Sequence, residues 1–211
     1  MLALDHIVVA SKDPLHAAST FEKNHQGVIL KGGKHENWGT YNYLAYFQNS
    51  SYIEWLGIDN EDIAKRSNNP LIHQLVHAFD KGMEGAIQIA FRTNKMDDYV
   101  KYFNENSILY KGPIHGSRKK PDGKTLNWRM LFPQSKDTYP LPFLIEWGEI
   151  SNFPDNDQQL IHSKDIHQIQ LPTPKDILQT IYQLHFVENY TRLANTILVS
   201  DERGNIEYYI K

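Results

Sequence analysis

The sequence predicts an α+β fold: two tandem βαβββ modules cupped into a mixed sheet around one shared polar site, followed by a partial third βαββ module. Three observations carry this expectation. The order strand, helix, strand, strand, strand is read twice along residues 1–149, the two copies share residues at matching points, and the tail opens as another copy that lacks a strand. Repeats are weighed first because they decide the architecture.

The first module spans residues 1–58. Its opening strand runs Leu2-Ala3-Leu4-Asp5-His6-Ile7-Val8-Val9-Ala10. Asp13-Pro14 then starts a helix that continues to about Lys23, with proline at the first helical position. Three strands follow, around Lys31 to His35, Asn42 to Phe47 and Tyr52 to Trp55, separated by turn residues such as Gln48-Asn49-Ser50. Residues 59–83 form a helical linker, with Leu71, Leu75, Val76 and Phe79 on one face. His73 and His77 sit four apart there, but the glutamate of the metalloprotease pattern is missing, so they are read as helix surface.

The second module, residues 84–149, repeats the first. Gln88-Ile89-Ala90 matches His6-Ile7-Val8, and Phe103 falls on Phe21. Lys111-Gly112-Pro113-Ile114-His115 matches Lys31-Gly32-Gly33-Lys34-His35, and the run from Asn127 to Phe132 matches that from Asn42 to Phe47. Leu144-Ile145-Glu146-Trp147 matches Tyr52-Ile53-Glu54-Trp55, and Pro121-Asp122-Gly123 reads as a turn. The spacing between copies varies along the chain, so the insertions belong in loops, where they are tolerated. Residues 150–165 form a polar linker. In the partial third module, residues 166–211, His167 to Leu171 is a strand and Thr173-Pro174 caps a helix to about Leu184. Strands at Thr196–Ser200 and Ile206–Ile210 close the tail, which either docks on the main sheet or completes the sheet of a second copy in a homodimer.

Composition excludes several function classes. A net charge of −3 and a pI near 6.4, with no basic stripe, argue against nucleic acid as a partner. The absence of cysteine removes disulfides, thiolate zinc sites and a cysteine nucleophile. The N-terminal strand lacks the basic flank and long apolar run of a signal peptide, and no segment approaches the ~20 apolar residues of a membrane span. A cytoplasmic protein with a small-molecule ligand, no membrane and no nucleic acid is the expectation.

Strand alternation puts Glu54 on one face with Tyr52 and Leu56, and Glu146 opposite Ile145 and Trp147. A carboxylate among large apolar strand residues needs a partner if it is buried. The bland alternative is two solvated glutamates on an exposed sheet face. If the copies face each other about a pseudo-twofold axis, His6, Glu54, Gln88 and Glu146 converge. One imidazole, one amide oxygen and two carboxylates suit a divalent ion: zinc, nickel, manganese or iron. His35, His115, Asn42, Asn127 and Arg129 are the candidate substrate-binding residues, since they repeat between copies or share a strand with those that do. Arg129 suits two-point binding of a carboxylate or phosphate. The basic loop Ser117 to Lys124 is either a lid over an anion or a solvated hairpin tip.

The run from Gly32 to Leu44, followed by Tyr52-Ile53-Glu54-Trp55-Leu56-Gly57-Ile58 and later by Pro142-Phe143-Leu144-Ile145-Glu146-Trp147, resembles the vicinal oxygen chelate superfamily. That superfamily includes glyoxalase I, extradiol dioxygenases and fosfomycin- and bleomycin-resistance proteins; the likeness is to its bacterial glyoxalase-like domain proteins and covers roughly residues 1–150. It implies a cupped sheet with a ligand site inside and, in enzymatic members, a bound divalent metal. His6, Gln88, Glu54 and Glu146 match the ligand types of glyoxalase I. Two readings follow. One is a metal-dependent lyase or isomerase acting on a small oxygenated metabolite, with Glu54 or Glu146 as the proton-transfer base. The other is a metal-free binding protein whose cup, lined by Tyr41, Tyr43, Tyr46 and Tyr52, sequesters a small planar molecule.

Overall fold

The computed structural model describes residues 1–120, 123–135, 139–150, 152–154 and 158–211. Pro121 and Asp122 of the expected turn, and part of the 150–165 linker, lie outside the described residues. The first module comprises β1 (Ala3–Ala10), α1 (Pro14–His25), β2 (Leu30–His35), β3 (Thr40–Phe47) and β4 (Tyr52–Ile58). Helices α2 (Glu61–Arg66) and α3 (Pro70–Asp80) lead into β5 (Gly85–Arg92), α4 (Met96–Glu105), β6 (Tyr110–Lys119), β7 (Thr125–Pro133) and β8 (Phe143–Trp147). The helix starts follow local chemistry. Asp13 accepts a hydrogen bond from His16 N at 3.0 Å with Pro14 behind it, and Asn60 and Asn69 cap α2 and α3 in the same way.

The main sheet has the order β2-β3-β4-β1-β5-β8-β7-β6. Within each half the first strand runs parallel to the fourth, β1 with β4 and β5 with β8, and the halves join antiparallel along β1 and β5. The sheet curls until its two edge strands approach, where Arg118 Nη1 of β6 donates to Gly32 O of β2 at 2.6 Å. This is the expected cupped mixed sheet.

Two cores form, one on each side. On the concave side, Leu71, Ile72 and Leu75 of α3 pack against Val8, Leu56, Ala90, Met130 and Ile145, so the linker helices fill part of the cup. Of the expected apolar face of α3, Leu71 and Leu75 are therefore buried and Val76 and Phe79 half-buried against the same core, with His73 and His77 left exposed. On the convex side, Ile7, Phe47, Ile53, Phe91 and Phe103 share one core with Ile169, Leu178, Tyr182 and Leu198 of the tail. Among the described residues no helix is long and apolar enough to cross a membrane.

The tail holds β9 (Ile161–His162), β10 (Ile166–Leu171), α5 (Lys175–Tyr182), β11 (Tyr190–Arg192), β12 (Ile197–Ser200) and β13 (Glu207–Ile210). Strand β9 extends the main sheet beside β3. The others form a second sheet ordered β11-β12-β10-β13. Here β10, α5, β11 and β12 make the βαββ unit, while β13 lies antiparallel beside β10, as β5 lies beside β1. The strand Tyr190–Arg192 was not expected, because three residues are too few to display alternation.

Candidate functional site

The site begins with an irregularity in β1. Leu4 stands opposite Phe91 and His6 opposite Ala90, so Asp5 is one residue too many. Such a β-bulge resets the alternation and re-aims side chains. Leu4 and Ile7 both enter the convex core, and the His6 ring is delivered to the concave side, where it lines a cavity. The Asp5 carboxylate reaches the same ring: His6 Nδ1 lies 2.7 Å from Asp5 Oδ1. Because a carboxylate only accepts, Nδ1 carries the proton of this contact, and Nε2 is turned towards Glu54 and the cavity. Asp5 is wholly buried and also receives Trp147 Nε1 at 3.0 Å and Arg92 Nη1 at 3.4 Å, partners that offset its loss of hydration.

Glu54 meets this pair from β4. Its Oε2 lies 3.5 Å from His6 Nε2, and its Oε1 accepts from Asn42 Nδ2 of β3. Tyr52, two residues earlier on the same face, stacks on the His6 ring with centroids 4.5 Å apart and an interplanar angle of 18°. Burial, together with the charges of Asp5 and Glu54, pushes the Tyr52 phenol well above its usual value, so it stays protonated. Gly32 makes room for Asn42, since a Cβ there would fall 2.1 Å from Asn42 Oδ1. That oxygen is buried with no hydrogen-bond partner among the described residues.

These groups form the polar floor of a recess whose walls include Trp38, Trp128, Trp147, Met130, Phe143 and Ile145. Trp128 packs against Trp38 at 5.9 Å and Trp147 at 5.5 Å. Its indole covers Gly116 of β6, where a Cβ would sit 2.3 Å from the ring. Arg118 lines the recess from the closing edge, held by Gly32 O and by Asn152 Oδ1 at 2.7 Å. His35 and Arg118 also line an adjoining polar cleft with Lys34, His115 and Lys119.

His35 is buried, and its Nδ1 lies 3.0 Å from Thr40 Oγ1. Loss of hydration pulls its pKa from 6.5 down to about 4, partly opposed by the charge of Glu54. A folded-state value below the unfolded one means that the unfolded chain takes up the proton first. The stability due to neutral His35 is therefore complete above pH 6.5 and is lost as the pH falls towards 4. Urea unfolding at pH 7 and pH 4 is expected to show wild type losing on the order of 3 kcal/mol more than His35→Gln. Equal losses in the two proteins would show that His35 contributes nothing to acid sensitivity.

Comparison with known proteins places this geometry. The family model described as "Glyoxalase-like domain" matches residues 4–178. The chain belongs to that family. Among solved structures, a hypothetical protein from Staphylococcus aureus is 18% identical, covers 96% of this glyoxalase-like chain and 87% of its own, and superposes with a TM-score of 0.71. A variant of Streptomyces coelicolor methylmalonyl-CoA epimerase in complex with 2-nitronate-propionyl-CoA is 19% identical over 70% of this chain and 96% of its own, with a TM-score of 0.51. A hypothetical protein from Bacillus halodurans C-125 gives 16% identity, 73% and 99% coverage, and a TM-score of 0.51. At these identities the likeness is one of fold. No curated protein matches the chain.

Of the residues expected from sequence, the glyoxalase-like cup gathers His6, Glu54, Asn42 and His35 around one cavity. Gln88 and Glu146 do not join them. Gln88 lies beneath α3, where its Nε2 donates to Gln74 Oε1 at 3.2 Å, and it lines a separate cavity with Phe132 and Pro140. Glu146 accepts from Met96 N at the start of α4 at 3.1 Å and from Arg129 Nε at 3.0 Å. Arg129 is further tied to Asp97 at 2.8 Å, and Asn127 is exposed. His115 stands opposite Arg129 in the β6–β7 ladder, exposed at the outer cleft.

The cause is one residue of register. Phe143, Ile145 and Trp147 face the cavity, so Glu146 between them points the other way. Matching Ile-Glu-Trp by identity aligned the letters but not the pleat. The expected donor set consequently does not fit a divalent ion held by four side chains: of the four, only His6 and Glu54 line the recess, and the facing half lines it with apolar and aromatic groups and the cationic Arg118. Among the described residues no group of three or more His, Cys, Asp or Glu side chains is placed to hold a metal ion.

Sequence reading missed Asp5, Asn152 and the three tryptophans, and placed Arg118 only within the basic loop Ser117 to Lys124. The Asp5-His6 dipeptide was visible, but alternation assigns its members to opposite faces. Of the expected tyrosine lining only Tyr52 reaches the recess; Tyr43 packs on the convex core, and Tyr46 donates to Asn152 O at 3.0 Å.

Proposed function

We propose that this glyoxalase-like protein binds a small oxygenated metabolite in the tryptophan-walled recess and moves a proton on it with Glu54, without a resident four-ligand metal. The observation that carries this is the Asp5–His6–Glu54 line, with His6 Nε2 and Glu54 Oε2 3.5 Å apart on the floor of an otherwise largely apolar recess. The suitable substrate is a carbon acid beside a carbonyl. On a substrate with a hydroxyl on that carbon, Glu54 takes the carbon-bound proton, and the C–H pair forms a C=C bond as the carbonyl π pair moves to its oxygen. Glu54 then returns the proton to the former carbonyl carbon, while the hydroxyl proton passes to the oxyanion and the hydroxyl-bearing carbon becomes the new carbonyl. Arg118 is the cation that faces the developing oxyanion. His6, its ring oriented by Asp5, hydrogen-bonds a substrate oxygen through Nε2, and the unbonded Asn42 Oδ1 accepts a second donor.

A second reading, sequestration without turnover, draws support from Asn42, which already occupies one oxygen of Glu54. Three of the four tryptophans line the recess, so their fluorescence reports occupancy. Titration with 2-oxoaldehyde–thiol adducts, catechols and short acyl-CoA thioesters is expected to give saturable quenching by a carbonyl-bearing class. The thioester is included because a structural relative is named as a methylmalonyl-CoA epimerase. Binding of catechols alone would support sequestration, and quenching by none would remove the small-molecule reading.

A further inference from the structure

The C-terminal module reaches the site through the loop between β11 and β12. We propose that Asn195 in this loop is a positioning residue that fixes the β1 bulge and thereby the Asp5–His6 pair. The proposal rests on the reading of His6 as a working group of the recess, but its test needs no ligand.

Strand β1 pairs with β4 only from His6 onward, where His6 stands opposite Tyr52. The backbone of Leu4, just before the bulge, therefore has no β4 neighbour. The side-chain amide of Asn195 takes that place. Leu4 N donates to Asn195 Oδ1 at 2.8 Å, and Asn195 Nδ2 donates to Leu4 O at 2.9 Å. An amide is the side chain that offers a donor and an acceptor together, as a peptide unit does. The same Nδ2 also reaches Asn49 O at 2.8 Å, and Asn49 Nδ2 returns a bond to Asn195 O at 3.0 Å. Asn49 lies in the turn between β3 and β4, so one clasp joins the start of β1, the turn that precedes Glu54's strand, and the tail. Ala194 N adds a bond to Leu2 O at 2.9 Å.

The physical consequence follows from alternation. The Asp5–His6 contact exists because the extra residue puts adjacent side chains within reach of each other. A bulge is specified by what holds its flanks, and Leu4 is the near flank. If Leu4 relaxes towards a regular ladder, the strand slips by one residue and His6 turns to the other face. The tail thus serves the site without contributing a side chain to the recess.

The test is the hydrogen-bonded Nδ1 proton of His6 in the full-length protein, observed by NMR with labelled histidine and assigned with His6→Gln. Asn195→Ala removes both bonds to Leu4. Asn195→Asp keeps the shape and the acceptor, so it preserves a folded reference with half of the clasp. Thr196→Val is the control, because it removes a buried bond from the same loop, Thr196 Oγ1 to Ile166 O at 2.7 Å, without touching β1. The expected result is a downfield, exchange-protected resonance in wild type and Thr196→Val that is shifted in Asn195→Asp and lost to exchange in Asn195→Ala. An unchanged resonance in both Asn195 variants overturns the proposal. So does an equal loss in Thr196→Val, which would assign the effect to module packing at large, or a wild type with no protected proton. A recess that binds nothing would defeat the functional reading and leave this result standing.

Discussion

Glu54→Gln is expected to lower turnover of the bound carbonyl substrate by roughly 10²–10⁴-fold, the range ascribed to a general base, while leaving its dissociation constant within about twofold. The separation follows from the contacts. Glutamine has the same shape, and its carbonyl oxygen still accepts from Asn42 Nδ2, so the floor of the recess keeps its form. What it loses is the capacity to take a proton. Steady-state assays beside tryptophan-fluorescence titrations of both proteins check the split. Turnover that survives the substitution would assign the base elsewhere, with His6 next in line. Binding lost together with turnover would show Glu54 to be a recognition group.

Phe91→Ala carries the largest expected effect on stability, about 3–5 kcal/mol, as for other fully buried phenylalanines. Phe91 is wholly buried on β5 and packs edge-on against Tyr182 of α5, with centroids 5.3 Å apart. The tyrosine is itself held through its hydroxyl, which donates to Pro142 O at 2.5 Å. One core therefore spans the main sheet and the tail. Against a typical total of roughly 5–15 kcal/mol, the loss is a large share. Urea unfolding followed by far-ultraviolet circular dichroism and tryptophan fluorescence is expected to show one coincident transition in wild type, moved to lower urea by about 1–3 M in Phe91→Ala. Separate transitions for the two probes would mean that the tail folds on its own. Leu15→Ala, at a side chain 49% exposed, is the reference and is expected to shift stability by less than about 0.5 kcal/mol.

Much of the fold was legible because repetition and alternation are local signals. The paired strand–helix–strand order, Asp13-Pro14 at the start of α1 and the apolar face of α3 each depend on neighbours a few residues away. Glu54 was legible for the same reason: between Tyr52 and Leu56 on an uninterrupted strand, its face follows from counting by two. The short strand Tyr190–Arg192 escaped because three residues carry no period.

The sequence by itself determined the repeated modules and the family, and it selected His6 and Glu54 as candidates. Tertiary structure alone decided which carboxylate faces the recess and what stands beside His6. Glu146 and Glu54 sit in the same tripeptide, yet β8 enters the sheet with Phe143, Ile145 and Trp147 inward, and a pleat of period two turns a one-residue offset into the opposite face. Asp5 joins His6 only because β1 bulges there, and that bulge is held by Asn195, 191 residues away in the chain. A side chain's direction in a sheet is set by long-range pairing and its irregularities, which the short-range pattern of a sequence does not record.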